Sequence, residues 1–141
     1  MKIIEQEEVR KLLQPKDCIQ LMAEALKGLE SGEYVQPARL ITVMPNTAKF
    51  GFMPAYVGDY FGAKVISAFA PNMGTKYPSH IGYVMLFESA HSTVAGMIEA
   101  GSITEIRTGA VSAAATDLLA RKDSHKLALI GAGAQARSHL A

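Results

Sequence analysis

Three cationic residues in this sequence stand among small or apolar neighbours, where a positive charge is costly to bury without a partner. Arg39 and Lys64 lie in segments whose alternating pattern predicts strands, and Arg107 lies near the start of a predicted helix. Guanidinium groups bind carboxylates in bidentate fashion, and a desolvated ammonium can face a carbonyl, a carboxylate or an imine. Together the three residues could bind a small anionic substrate.

Each of the three also has an ordinary structural explanation. Arg39 could extend from an otherwise apolar strand face to the rim of the sheet. Lys64 could be a strand-edge lysine, and Arg107 could be a surface residue paired with Glu105 or a neighbour. For each residue both explanations remain open at the level of the sequence.

Arg107 has the sharpest functional argument, because the helix dipole disfavours a cation in the first turns of a helix. A helix N-terminus, a guanidinium and the hydroxyl of Thr108 would together form an anion site that a carboxylate satisfies. The helix itself is predicted over residues 101–122, and the S-x-x-E spacing of Ser102 and Glu105 predicts a capping box at its start.

A glycine turn follows near the C-terminal end, with the sequence Gly131-Ala132-Gly133-Ala134-Gln135-Ala136. This is the G-x-G-x-x-A form of a dinucleotide-binding turn, in which the second glycine lets the backbone approach a pyrophosphate. A short apolar strand is predicted before it at residues 126–130, and helix formers follow. The acidic residue ~20 positions further on, which would separate NAD from NADP, would lie beyond Ala141. A plain strand–helix turn is the alternative.

The remaining segments predict the elements that must position these residues. A strand is expected at residues 3–4 and a short helix at residues 7–13, and a second helix begins near Pro15, carries Cys18 on an apolar stripe and ends at Gly32. Short links favour an antiparallel or mixed sheet of the strands predicted at residues 38–44, 50–56, 63–69, 81–87 and 94–99.

We therefore predict an α+β or α/β fold, a mixed β-sheet with flanking helices followed by the first strand, turn and helix of a Rossmann domain. A polar break divides a domain at residues 1–123 from a second part at residues 124–141. Since a complete βαβ unit needs about 30 residues or more, we expect the second part to be truncated. Its tail is expected to be poorly packed or to borrow contacts from a partner chain.

Composition excludes several classes of function. Hydrophobic residues make up 49% of the chain and charged residues 19%, with a net charge of +1, so neither nucleic acid nor an acidic membrane is an expected partner. One cysteine permits no intrachain disulfide, and the four histidines lack ligand-like spacing, so no metal site is predicted. The acidic N-terminus and the absence of a long apolar run favour a cytoplasmic protein.

Taken together, these residues resemble the ornithine cyclodeaminase/mu-crystallin family. The matching pieces occur in family order and at family-like spacing, and they are Pro37-Ala38-Arg39, Met53-Pro54, Gly62-Ala63-Lys64, Pro71-Asn72, Thr104-Glu105-Ile106-Arg107-Thr108-Gly109-Ala110 and the glycine turn. The resemblance implies that residues 1–123 bind substrate and pair two subunits through a β-barrel-like interface. It also implies that residues 124–141 begin an NAD(P)-binding Rossmann domain.

The resemblance implies the site as well. Arg39, Lys64 and Arg107 would bind the substrate carboxylate and neighbouring groups, with Lys64 as the catalytic cation, and Ser79 would place a hydroxyl near the substrate. The cofactor-binding residues would be Thr108, Gly131, Ala132, Gly133, Ala134 and Gln135. The family's catalytic aspartate lies in the cofactor domain, outside this chain.

The implied function is hydride transfer between NAD or NADP and an amino acid or cyclic imino acid, in a homodimeric enzyme. Within this class the activities are ornithine cyclisation with loss of ammonia, ketimine reduction and alanine-type dehydrogenation. We expect the 141 residues alone to be incomplete and inactive. The alternative is a non-catalytic mu-crystallin-like ligand-binding or dimerisation module.

One position departs from the family's pattern. Members that act on ornithine look as if they carry an acidic residue two positions before the Met-Pro pair, and Gly51 stands there in this sequence. Without a carboxylate at this position a distal ammonium loses a partner. We therefore expect a small apolar or cyclic substrate rather than a basic diamino acid.

Overall fold

A six-stranded sheet forms the centre of the structure, a computed structural model that describes residues 1–140. Its elements, with the labels used below, are β1 (Lys2–Ile4), α1 (Gln6–Leu12), α2 (Pro15–Ser31), β2 (Leu40–Val43), β3 (Lys49–Val57), β4 (Tyr60–Ala68), β5 (His80–Glu88), β6 (Val94–Glu99), α3 (Ala100–Leu119) and α4 (Ala134–Ser138). A single 3-10 turn, Ala70–Asn72, lies between β4 and β5.

The sheet is mixed, which confirms the predicted fold class. Its strand order is β1-β6-β5-β4-β3-β2, and β2 to β6 pair antiparallel with their neighbours in the chain. The short connections between these strands permit no other direction, because a parallel pair needs a long crossover. β1 pairs parallel with β6 because two helices and four strands separate it from that partner.

Alternation of side chains gives the sheet two different faces. Lys64 pairs with Met53 and Val84, and its side chain reaches Thr104 of α3, so the face that carries these residues is the helix face. On the opposite face several large apolar side chains of β2, β3 and β5 are exposed. We call this the open face and define it by Leu40, Phe50, Phe52 and Ile81, which are 63%, 42%, 41% and 55% exposed.

The core under the helix face is thin and is built from small residues. The buried positions include Cys18 of α2 and Ala100, Ala110 and Ala114 of α3. The total accessible surface is 10184 Å² for 15.1 kDa, whereas a compact monomer of that mass exposes about 7,000 Å². The chain therefore leaves much more surface uncovered than a self-contained domain does.

The ends of α2 follow the predicted signals. Pro15 occupies the first turn, where its missing N–H has no helical partner to lose. The helix ends at Gly32, whose φ of 79° lies in the left-handed region that glycine adopts without a steric penalty.

The predicted capping box at the start of α3 is wrong. The helix begins at Ala100, and the carboxylate of Glu99 accepts hydrogen bonds from the backbone N–H groups of Gly101 and Ser102. Ser102 thus lies inside the first turn at 1% exposure, and its hydroxyl has no partner among the described residues. Glu99, the last residue of β6, therefore caps the helix in place of Ser102.

The predicted strand at residues 126–130 does not form. These residues have no assigned element, and Leu127 and Ile130 are 69% and 103% exposed. A strand needs a neighbour to pair its backbone groups, and the six-stranded sheet offers none at this position.

Within residues 1–140, no helix has both the length and the apolar character that a membrane span requires.

Candidate functional site

Lys64 stands at the centre of the helix face. It lies in β4, an interior strand between β3 and β5, and its side chain is half-buried. The explanation as a strand-edge lysine is therefore wrong. Arg39 directly precedes β2, whose first residue, Leu40, pairs with Phe52 of β3. Met53, the next residue of β3, pairs with Lys64.

Arg39 itself lies one residue before β2 rather than within it, and its side chain is exposed. This position agrees with a guanidinium that extends along the rim of the sheet. Its positive charge still acts on Lys64, whose pKa it helps to lower. Arg39 is therefore placed where it can meet a ligand that enters from solvent.

The helix above the face supplies the remaining groups. The Lys64 ammonium donates a hydrogen bond of 3.3 Å to the hydroxyl of Thr104, and Arg107 follows Thr104 by three residues, on the same side of the helix. Burial, the charge of Arg107 and the charge of Arg39 all lower the pKa of Lys64 below its ordinary value of 10.5. Both guanidinium charges therefore act on the Lys64 ammonium.

No carboxylate neutralises this cluster of Arg39, Lys64 and Arg107. Among residues 1–140 the acidic partners of ion pairs bind other cations, and Glu105, the expected partner of Arg107, bonds Arg10 at 2.6 Å. The explanation of Arg107 as a surface residue paired with Glu105 is therefore wrong. An unpaired cationic cluster in a half-buried position is a site that an anion would stabilise.

The helix N-terminus does not contribute to that site. Arg107 lies at the end of the second turn of α3, and two free amides of the first turn, those of Gly101 and Ser102, are already bonded to Glu99. Thr108 donates its hydroxyl to the carbonyl oxygen of Thr104 at 2.6 Å, within its own helix. Of the three groups predicted to bind an anion together, which were the helix dipole, the guanidinium and the Thr108 hydroxyl, the guanidinium of Arg107 is the one without a partner among residues 1–140.

Ser79 is not brought to the cluster. Its hydroxyl lies 3.1 Å from Nδ1 of His80, just before β5 begins. Val84, the residue paired with Lys64, is five positions further along the strand, which corresponds to about 16 Å. A role for Ser79 near the substrate stays a prediction.

An apolar wall lies beside the cluster on the helix face. Gly51 is buried between Ile41 and Ile66, which pair with it on either side. A Cβ at this position would lie 2.8 Å from a carbon of Ile66 and 2.9 Å from a carbon of Ile41. The two isoleucines thus fill the space that an acidic side chain would need.

The glycine turn leaves its backbone open. Gly131 has a φ of 112°, which only glycine adopts readily, and nothing lies within 4 Å of a Cβ built at Gly131 or Gly133. A surface depression of about 360 Å³ lies along the turn, lined by residues that include Leu129 and Gln135. This accessible backbone fits the pyrophosphate of a dinucleotide. Ala132 lies within the turn, and Ala134 is the first residue of α4.

Several residues with contacts in the site escaped the sequence analysis. Thr104 was part of the motif around Arg107, but a threonine in a helix carries no signal that it faces a lysine 40 residues away. Ser112 and His139 meet at 2.8 Å and join α3 to α4, which follows the turn. No group of three potential metal-ligating side chains comes together in residues 1–140.

Comparison with known proteins gives a consistent result. The model of the ornithine cyclodeaminase/mu-crystallin family matches residues 1–141, which confirms the resemblance seen in the sequence. The ketimine reductase mu-crystallin of Mus musculus is 36% identical over 121 residues, which are 84% of this chain and 38% of the relative.

Two solved structures share the fold over nearly the whole chain. An archaeal alanine dehydrogenase dimer with bound NAD has a TM-score of 0.93 at 27% identity, covering 98% of this chain and 43% of that one. The Δ1-pyrroline-2-carboxylate reductase of Thermococcus litoralis, in complex with NADH and L-proline, has a TM-score of 0.92 at 32% identity, covering 99% and 44%. The chain therefore spans less than half the length of the relatives that it matches.

Proposed function

The chain belongs to the ornithine cyclodeaminase/mu-crystallin family, and we propose that it supplies the substrate site and the first cofactor turn of an NAD(P)-dependent enzyme of amino or cyclic imino acids. The observation that carries the proposal is the unpaired cluster of Arg39, Lys64 and Arg107 on the helix face. Residues 1–123 would form the substrate-binding and dimerisation domain. Residues 124–141 would begin the cofactor domain.

The substrate carboxylate would lie between the two guanidinium groups. Arg107 belongs to α3 and Arg39 directly precedes β2 at the sheet, so the two would donate to the carboxylate oxygens from different elements. Lys64 would donate to the atoms beside the α-carbon and stabilise negative charge there. Bound NAD(P)H would carry the hydride, and the chain's own residues would orient the substrate toward it.

The apolar wall supports a substrate without a second charge. Gly51, Ile41 and Ile66 offer contacts to methylene groups and no partner for a distal ammonium. A cyclic ketimine carboxylate or a short apolar amino acid satisfies these surroundings. Reduction of such a ketimine is accordingly proposed in preference to cyclisation of ornithine.

The open face supports a homodimer. Its exposed aromatic and aliphatic side chains, together with an accessible surface about 3,000 Å² above that of a compact monomer, favour a second copy of the chain as the covering partner. No observation on residues 1–140 favours a non-catalytic ligand-binding or dimerisation module.

The proposal is tested by following NADH and NADPH oxidation by the complete protein with Δ1-pyrroline-2-carboxylate and Δ1-piperideine-2-carboxylate, and NAD(P)⁺ reduction with L-alanine. Ammonia release from L-ornithine is measured beside them. We expect turnover of a cyclic ketimine to exceed turnover of ornithine, and a higher kcat/KM for ornithine would contradict the proposal. Residues 1–141 alone are expected to be inactive, because a complete βαβ unit needs about 30 residues or more.

Arg107→Lys provides the test of the carboxylate site. A lysine keeps the charge but loses the bidentate geometry, so we expect KM for the ketimine to rise about 10-fold or more. The matched control is Arg121→Lys, because Arg121 is exposed and pairs only with Asp123 on the surface. Equal KM values for the two variants would remove Arg107 from the site.

A further inference from the structure

Helix α3 touches both halves of the proposed site. One side of the helix carries Thr104 and Arg107 above the sheet. Gly109 and Ser112 lie on another side, and both contact the segment that follows the glycine turn. The position of the turn relative to the cationic cluster is therefore set through this one helix.

The first contact is a close approach of backbones. Gly109 is buried, and a Cβ built on it would lie 2.4 Å from the carbonyl oxygen of Ser138. Any other residue at this position would push the end of α4 away from α3. The glycine thus permits α4 to lie directly on the helix that bears Arg107.

The second contact is a hydrogen-bonded histidine. Nδ1 of His139 lies 2.6 Å from the carbonyl oxygen of Gln135, and Nε2 lies 2.8 Å from the hydroxyl of Ser112. A carbonyl oxygen only accepts, so Nδ1 carries the proton, and Nε2 of the neutral ring accepts from the Ser112 hydroxyl. One side chain thereby closes the last turn of α4 and attaches it to α3.

This attachment matters because the segment before the turn offers little other support. Residues 121–133 are exposed and, apart from a turn and a bend, form no helix or strand. Hydride transfer requires that cofactor and substrate be held in a narrow range of distance and angle, and a displacement near 1 Å can cost about 100-fold in rate.

We infer that Ser112 and His139 are positioning residues, which hold the glycine turn at a fixed place relative to Lys64 and Arg107. This inference rests on the proposed function, since it assigns a cofactor to the turn. The pair does not touch substrate in this arrangement. It acts through α4 on the geometry of the cofactor backbone contacts.

The test uses Ser112→Ala in the complete protein, with Thr116→Ala as matched control. Thr116 lies one turn further along α3, is exposed, and bonds only the carbonyl oxygen of Ser112 within the helix. Amide hydrogen exchange of residues 134–140 is measured without ligand, and NADH affinity and the KM for the ketimine are measured separately. His139→Ala and His139→Gln are compared as well. Glutamine retains an acceptor near the place of Nε2, so partial rescue by glutamine distinguishes loss of the hydrogen bond from a general loss of structure.

We expect Ser112→Ala to raise exchange in residues 134–140 and to weaken NADH binding by about 3- to 10-fold, the effect of losing one hydrogen bond. The KM for the ketimine should stay within about 2-fold of wild type. His139→Gln should restore part of the protection that His139→Ala removes, and Thr116→Ala should change neither quantity.

Three results would overturn the inference, and they are distinguishable. Unchanged exchange in Ser112→Ala would show that the hydrogen bond does not hold α4. Faster exchange with unchanged NADH affinity would show that holding α4 does not position the cofactor turn. A wild-type protein that binds no NADH would instead refute the proposed function, and with it the positioning role, whatever the exchange data.

Discussion

At the scale of single residues, Lys64 bears an electrostatic cost that a bound anion would relieve. Its ammonium is half-buried, two guanidinium charges act on it, and its hydrogen-bond partner is the neutral hydroxyl of Thr104. The depressed pKa means that the folded protein binds this proton less tightly than the unfolded chain does. The charged lysine therefore destabilises the ligand-free fold at every pH below the ordinary pKa of 10.5.

Lys64→Met tests this cost. At pH 7 we expect the variant to have a higher melting temperature than wild type without ligand, because an apolar side chain of similar length removes the uncompensated charge. The advantage should shrink as the pH rises toward 10.5, where the unfolded lysine also loses its proton. Thermal unfolding across this pH range provides the measurement.

The same variant should respond less to an anion. L-Proline or another small carboxylate is expected to raise the melting temperature of wild type more than that of Lys64→Met, because in wild type the anion also neutralises the charge of Lys64. Lys49→Met is the control, because Lys49 is an exposed lysine at the start of β3. A ligand-free Lys64→Met protein less stable than wild type would contradict the account of the cluster.

The three cations could be predicted from the sequence because a charged residue among apolar neighbours is visible in the local sequence. The choice between a structural and a functional explanation could not be made from the sequence, since whether Lys64 lies at an edge or inside the sheet depends on strand order. Likewise, the sequence could not show that Glu105 pairs with Arg10 and not with Arg107, because Arg10 and Glu105 are 95 residues apart. Ser112 and His139 gave no signal, because each is polar and ordinary until the chain folds.

At the scale of elements, the start of α3 shows how a neighbour overrides a local motif. Ser102 and Glu105 have the spacing of a capping box, but Glu99 caps the helix and leaves the Ser102 hydroxyl buried without a partner among the described residues. An unsatisfied buried hydroxyl is unfavourable, and alanine has the higher helix propensity.

Ser102→Ala should therefore not harm the protein. We expect its free energy of unfolding to equal or exceed that of wild type by up to about 1 kcal/mol, as measured by urea denaturation. Glu99→Ala, which removes the actual cap, should lower it by about 1 kcal/mol. A large loss in Ser102→Ala would mean that the hydroxyl has a partner after all.

The turn between β5 and β6 is stabilised by one carboxylate. Glu88 accepts hydrogen bonds from the backbone N–H groups of Thr93 and His91 and from the Thr93 hydroxyl, at 2.9 to 3.1 Å. These bonds, that from the Thr93 backbone first, lower the pKa of Glu88 below its ordinary value of 4.5. The carboxylate thus stabilises the turn above pH 4.5, and the contribution is lost as the pH falls through the depressed pKa.

Glu88→Gln is expected to lower the melting temperature at pH 7, and the difference from wild type should narrow below pH 4.5. Glu30→Gln, at an exposed position of α2, should show no such pH dependence. A constant difference over the whole range would show that the charge of Glu88 is not what the turn requires.

The strands were predicted well because alternation and turn residues are local. The strand at residues 94–99 has the observed bounds, and the others differ by one to three residues at their ends. The strand at residues 126–130 failed because a strand is defined by its neighbour, and the described sheet offers none there. The apolar pattern of these residues is typical of a strand, but the pattern alone supplies no strand for them to pair with.

At the scale of the whole molecule, we expect the open face to determine the oligomeric state. Leu40, Phe50 and Phe52 expose apolar side chains on the adjacent strands β2 and β3, and Ile81 does so on β5. Phe52→Arg should prevent association by placing a charge in the middle of this surface. Sedimentation is expected to show wild type as a dimer and the variant as a monomer or an aggregate.

Leu118→Arg is the control for that experiment. Leu118 is 78% exposed on α3, outside the open face, so the charge should leave the dimer intact. If wild type sediments as a monomer at micromolar concentration, the proposed dimer is wrong.

The parallel pairing of β1 with β6 has a consequence for synthesis. Residues 2–4 are synthesised well before residues 96–98, the part of β6 with which they pair. Until then α1 and α2 also lack α3, the helix against which both pack. The nascent chain must therefore expose the apolar sides of its first helices during most of translation, which favours slow folding and reliance on chaperones.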